Sequence, residues 1–128
     1  MADYIAWKPY YSVGEESLDA EHQTIIKLTN DLYAAAKSGS DDRVCAVLDR
    51  LLQYAATHFR HEEQLMRECE FPELKAHQLL HEQLRHRVVE LRNNCDRLNA
   101  QEVLQFLKEW WCEHIQEQDK AFGRYLQA

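Results

Sequence analysis

Apolar residues recur at spacings of three and four in four separate segments of the chain, the pattern of helices that each bury one face. The first segment starts near Asp19 and sets Ile25, Ile26, Thr29, Tyr33 and Ala36 on one face; "KSGSDD" ends it, with Gly39 as the stop and Ser40 as the next N-cap. The second stripe runs Val44, Val47, Leu48, Leu51 and Ala55, and its spacing continues through His58, Glu62 and Leu65. After "CEFPEL", where Pro72 suits the first turn of a helix, the third stripe is Leu74, His77, His81, Leu84, Val88 and Leu91. "NNCDRLN" closes it. Asn99, with Glu102 three residues on, resembles a capping box for a fourth helix carrying Val103, Leu107, Trp110 and His114. Four helices of about 20 residues on short connections predict an all-α fold, an up-down-up-down antiparallel four-helix bundle over residues 19–128. An extended N-terminal arm, residues 1–18, precedes it, and its Trp7, Tyr10 and Tyr11 are expected to pack over one end of what reads as one domain, 1–128.

The stripes contain polar residues where apolar ones belong. His58 and Glu62 lie in phase with Leu48 and Leu51, whereas His61 and Glu63 fall off that face. His77 and His81 interrupt the third stripe, His114 follows Trp110 by four, and His22 precedes Ile25 by three. Every helix therefore turns at least one histidine toward the shared axis. A single histidine on an apolar face is usually a hydrogen-bonded core residue. Five histidines and a glutamate on four converging faces are different, because each buried polar group without a partner costs about 1–3 kcal/mol. Six such groups would cancel much of the roughly 5–15 kcal/mol that stabilises a typical domain, so something must coordinate them.

Imidazole and carboxylate together suit iron, zinc, copper or nickel. No cysteine is in phase with them, which disfavours a thiolate zinc site or an iron–sulfur cluster. "HEQLRH", from His81 to His86, spaces its histidines by five rather than the four of a zinc metalloprotease helix. No glutamate precedes a histidine by three, as the carboxylate-rich di-iron bundles require.

Composition narrows the class further. With 45% hydrophobic residues, 29% charged and only three glycines and two prolines, the chain is poor in turn formers. A net charge of −7, with no basic cluster, argues against nucleic acid or an anionic membrane surface as partner. The N-terminus "MADYIAWKPYYSV" lacks the basic and apolar runs of a signal peptide, and no stretch is long and apolar enough to be an integral membrane segment, so a cytoplasmic location is expected. Cys45, Cys69, Cys95 and Cys112 form no CxxC pattern and are expected to be reduced packing residues.

"DAEH" at 19–22, "HFRHEE" at 58–63, "FPELKAHQLLH" at 71–81 and "HIQEQD" at 114–119 together resemble a hemerythrin of the bacterial single-domain kind, in order and on separate helices. The resemblance implies reversible dioxygen binding, without enzymatic turnover, at a non-haem di-iron centre used for transport, storage or delivery. It adds Asp119 to the residues read from periodicity, although Asp119 lies five residues after His114 and about 140° round an ideal helix. A widened turn or side-chain reach would have to make up that angle. In the implied set, His77, His81 and His114 bind one iron and His22 and His58 the other, while Glu62 and Asp119, with an oxo or hydroxo group, bridge both. The second iron then keeps an open position.

Trp110 resembles the tryptophan that packs against the iron site in this family. Trp111 stands where bacterial members commonly have leucine; if its ring faces the pocket it narrows the path to the open iron, and the alternative is that it packs between helices away from the site. His61 and His86 fall outside the family's ligand set and are read as solvent-side residues. The implied partners are dioxygen and an oxygen-consuming recipient enzyme, with the chain a monomer. Peroxide or nitric oxide chemistry, zinc-dependent hydrolysis, oxygen or iron sensing, and a metal-free bundle stand as the alternatives.

Overall fold

A computed structural model describes residues 4–93, 97–110, 114 and 117–127, all helix, turn or irregular chain, with no strand among the described residues. Helix α1 spans Glu16–Ser38, α2 Asp41–Glu68, α3 Leu74–Arg92, α4 Arg97–Trp110 and α5 Lys120–Gln127. The fourth predicted helix is thus observed as α4 and α5, with π-helical geometry at His114 and at residues 117–119 between them. α1 packs on α2 and α4, α3 on α2 and α4, in the square of a four-helix bundle.

Most helix ends follow from local chemistry. Gly39 closes α1 in the left-handed region at φ 80°, which an L side chain rarely adopts, and Ser40 accepts the Arg43 N–H at 3.3 Å to start α2, both as predicted. The start of α1 differs from expectation. Glu15 caps it by accepting the Leu18 N–H at 2.8 Å, one turn ahead of Asp19. Asp19 instead holds the arm, taking the Val13 N–H at 2.8 Å and the Ser12 hydroxyl at 2.6 Å. Pro72 lies in the turn before α3 rather than in its first turn, and α4 is already helical at Arg97, so Asn99 does not start it.

The arm is pinned at two further places. Asn30 accepts the Ile5 N–H at 2.9 Å and donates to the Ile5 carbonyl at 2.8 Å. Tyr4, Trp7 and Tyr11 pack against the main core, while Tyr10, expected to join them, is 58% exposed. In α1 the buried face includes Leu32, fully enclosed, whereas Tyr33 is only half-buried, because the face is set a little round from the stripe read in the sequence. Cys45 corrects the expectation of reduced thiols, since it is disulfide-bonded; Cys69 is free, and Cys95 and Cys112 lie outside the described residues.

Two apolar clusters make the interior. The larger contains Ile25, Leu51, Phe59, Leu84 and Leu107; the smaller contains Val13, Leu18, Met66, Phe71 and Phe122. Along α1 the order is Leu18, His22, Ile25, and from the turn before α3 into that helix it is Phe71, His77, His81, Leu84. On α2 and on the fourth strut the order is reversed, from Phe59 through Glu62 to Met66 and from Leu107 through His114 and Asp119 to Phe122. This alternation is the up-down-up-down topology. It also puts one polar layer between two apolar ones. No helix among the described residues is long and apolar enough to cross a membrane.

Candidate metal centre

The polar layer gathers His22, His58, Glu62, His77, His81, His114 and Asp119, each at most 3% exposed. Two overlapping groups could each hold a metal ion: Glu62, His77, His81, His114 and Asp119 form one, and His22, His58, Glu62 and Asp119 the other. Within each group, one ligand atom per residue lies within 4.8 Å of all the rest.

The two carboxylates belong to both groups, and their oxygens are divided between them. Glu62 Oε1 faces His77 Nε2 at 2.6 Å and His81 Nε2 at 3.3 Å, while Oε2 faces His58 Nε2 at 3.5 Å and His22 Nε2 at 3.9 Å. Asp119 Oδ1 lies 2.9 Å from both His77 Nε2 and His114 Nε2, and Oδ2 lies 3.1 Å from His22 Nε2. One side thus has three imidazoles and two carboxylate oxygens, the other two imidazoles and two oxygens.

Asp119 reaches this layer through the backbone. His114 and residues 117–119 have π-helical geometry, before normal α geometry resumes at Lys120. A π turn closes on the fifth residue rather than the fourth, which brings Asp119 onto the face of His114. This is the widening that the 140° offset demanded.

The donor set suits a cation. Both oxygens of Glu62 and of Asp119, and the Nε2 atoms of His77, His81 and His114, are buried with no hydrogen-bond partner. His77 Nε2 approaches both carboxylates closely, but not in a hydrogen-bonding direction. Charge accumulates as well. Burial and Asp119 push the Glu62 carboxyl up, yet the imidazoles of His77, His81 and His58 outweigh them and hold it at about 2. Burial likewise acts upward on Asp119, and His114, His22 and His77 keep it well below the usual carboxylate range. Burial would depress the His77 imidazole, but Asp119 and Glu62 raise it to about 9. Buried lone pairs converging on two small volumes, with nitrogen and oxygen donors, fit first-row transition cations.

Three supporting residues escaped the periodicity reading. Glu21 accepts from His58 Nδ1 at 2.6 Å and from His61 Nδ1 at 2.7 Å. Burial acts upward on the Glu21 carboxyl, but these two imidazoles lower it overall. Glu63 faces His81 Nδ1 at 2.8 Å, and Gln78 donates to its other oxygen at 3.0 Å. Phe59 stacks on His81 with ring centres 3.9 Å apart and planes 9° apart. His61 is thus engaged, with 36% of its side chain exposed, and is not a bare solvent-side residue; the phase that set it off the stripe was correct, but the stripe's edge carries the supports. Their one visible signal is position, since Glu21 adjoins His22 and Glu63 adjoins Glu62. His86 is 77% exposed beside Glu90, as expected. Trp110 stacks on His114 at 4.4 Å and 11°, and Trp111 lies outside the described residues. Beyond Phe59 and Trp110 lies an almost wholly apolar cavity of about 30 Å³, also lined by Ile25, Ala55, Leu84 and Leu107.

A family model for the hemerythrin HHE cation binding domain matches residues 13–126. Among curated relatives, a bacteriohemerythrin of Stenotrophomonas maltophilia is 31% identical over 97% of this chain and 82% of its own. One of Aquifex aeolicus is 32% identical over 89% of this chain and 91% of its own. A crystal structure of wild-type hemerythrin superposes with a TM-score of 0.88 at 26% identity, covering 97% of this chain and 98% of that one, and a point mutant of hemerythrin gives 0.90. The match begins where Asp19 first holds the arm and ends past Phe122, taking in the whole polar layer, the smaller apolar cluster and all of the larger one except residues of the arm such as Ile5 and Tyr11. The chain belongs to the hemerythrin family.

Proposed function

We propose that this chain binds dioxygen reversibly at a non-haem di-iron centre, for transport, storage or delivery, and that it is not an enzyme. His77, His81 and His114 would hold one iron, His22 and His58 the other, and Glu62 and Asp119 would give one oxygen to each. The observation that carries the reading is the unequal division of the histidines, three against two, around shared carboxylates. The two-histidine side is one protein donor short, and a position without a protein donor is what a small external ligand needs. When bound, a reduced iron pair supplies two electrons to dioxygen and recovers them on release.

The chain's own part is to hold the donors and keep water away. Phe59 and Trp110 cover His81 and His114 with aromatic faces. The cavity behind them exceeds the roughly 10–15 Å³ that one water needs, but it offers almost no polar partner, so it favours a small apolar molecule over water. Exclusion of water also protects a bound oxidant from proton delivery.

The test is iron analysis with visible spectra of the protein, reduced without air and then exposed to it. Two irons per chain and an absorption band that appears with air and fades on deoxygenation are expected. Turnover of peroxide or nitric oxide with no reversible band would replace this reading with a catalytic one.

A further inference from the structure

Each side of the polar layer has one histidine whose outer nitrogen is clasped by a carboxylate, and the two clasps are built alike. Glu63 gives one oxygen to His81 and has the other steadied by Gln78 from α3. Glu21 gives one oxygen to His58 and has the other steadied by His61, so a carboxylate on α1 grips two imidazoles one turn apart on α2. An ionised carboxylate only accepts hydrogen bonds, so the Nδ1 atoms of His58 and His61 must both carry the hydrogen. With Nδ1 so occupied, the His58 lone pair is on Nε2, which faces Glu62 Oε2 in the two-histidine group.

We propose that Glu21 is a positioning residue that fixes the tautomer and ring plane of His58, with His61 as its outer strut, and thereby makes the metal on the two-histidine side more electron-rich. The inference rests on the di-iron reading for the identity of the metal but not for the clasp itself. A carboxylate hydrogen-bonded to a ligating imidazole raises that ligand's basicity. Glu21 does so on the side with fewer donors, where each donor weighs most. The strut stops the carboxylate rotating away: its second oxygen is engaged by a residue of the same helix as His58, so the clasp spans α1 and α2 as one unit.

Glu21→Ala, Glu21→Gln and His61→Ala separate geometry from charge. In metal-free protein, nitrogen-15 NMR of the histidine rings is expected to show His58 in the Nδ1–H form in the parent and in Glu21→Gln, whose amide oxygen still accepts, and in mixed form in Glu21→Ala. Cobalt(II) titration is expected to show roughly 10- to 100-fold weaker binding of one of the two metals in Glu21→Ala, with partial recovery in Glu21→Gln. In iron-loaded protein both Glu21 variants are expected to raise the midpoint potential, since both remove the negative charge, and His61→Ala to raise it less. A His58 tautomer unchanged in Glu21→Ala, or cobalt affinity and potential unmoved in a folded Glu21→Gln, overturns the proposal. A parent protein that binds cobalt and shows the clasp but forms no dioxygen adduct would sink the dioxygen reading and leave the clasp standing.

Discussion

His77 shows how a single residue links the site to stability. Its imidazole pKa is raised from 6.5 to about 9 by the two carboxylates it touches, so in metal-free protein its protonated form contributes stability that is complete below about 6.5 and lost as pH climbs through 9. Glu62, lowered from 4.5 to about 2, contributes in the opposite sense, above about 4.5 and progressively less toward 2. Metal-free protein should therefore be most stable between these limits, and its melting temperature should fall between pH 6.5 and 9. Metal-loaded protein should lack that alkaline fall, because the cation replaces the proton. Calorimetry of both forms across this range checks it, and a flat metal-free profile would contradict the charge arrangement. At this scale the five histidines and Glu62 were legible in the sequence, because each occupies an apolar phase of its own helix. Glu21, Glu63 and Phe59 were not, because a support lies at the edge of the stripe, where a polar or aromatic residue is unremarkable.

Helices were legible where a chemical punctuation mark ends them, as Gly39 and Ser40 do, and less so where a side chain has two possible employments. Asp19 could have capped α1 but holds Ser12 and Val13 instead, and Glu15 took the cap. The π stretch after α4 has no residue-type signature, so Asp119 came to the site by family resemblance and not by period. The far end of the same strut offers a test of how closely the arm is fitted. A Cβ on Gly123 of α5 would stand 1.9 Å from the Val13 carbonyl oxygen and 2.9 Å from its carbonyl carbon, both backbone atoms that cannot swing aside. Gly123→Ala should cost about 1–3 kcal/mol, as overpacking does, despite the better helix propensity of alanine. Denaturant midpoints of the two proteins measure it; equal midpoints would mean that the arm is loosely laid over α5.

Between its two apolar clusters the molecule carries a layer of buried donors in which the oxygens of Glu62 and Asp119 and the Nε2 atoms of His77, His81 and His114 have no hydrogen-bond partner. Removing the metal leaves several groups each worth about 1–3 kcal/mol unsatisfied. At about 2–8 °C per kcal/mol for domains near this size, the melting temperature should drop by more than about 10 °C on chelation and return on reloading. Thermal melts with and without chelator test this, and near-identical curves would mean that the layer is satisfied without metal. The divided carboxylates also set a rule of stoichiometry. A histidine serves one side of the layer, so losing His22 or His114 weakens one metal and leaves the other its own imidazoles. Glu62 and Asp119 serve both sides, so losing either subtracts a donor from each at once. Counting metal per chain after overexpression thus becomes a reading of wiring: His22→Ala should retain close to one metal, Glu62→Ala close to none, and Asp119→Ala should match Glu62→Ala although the two residues lie on different helical segments and 57 positions apart.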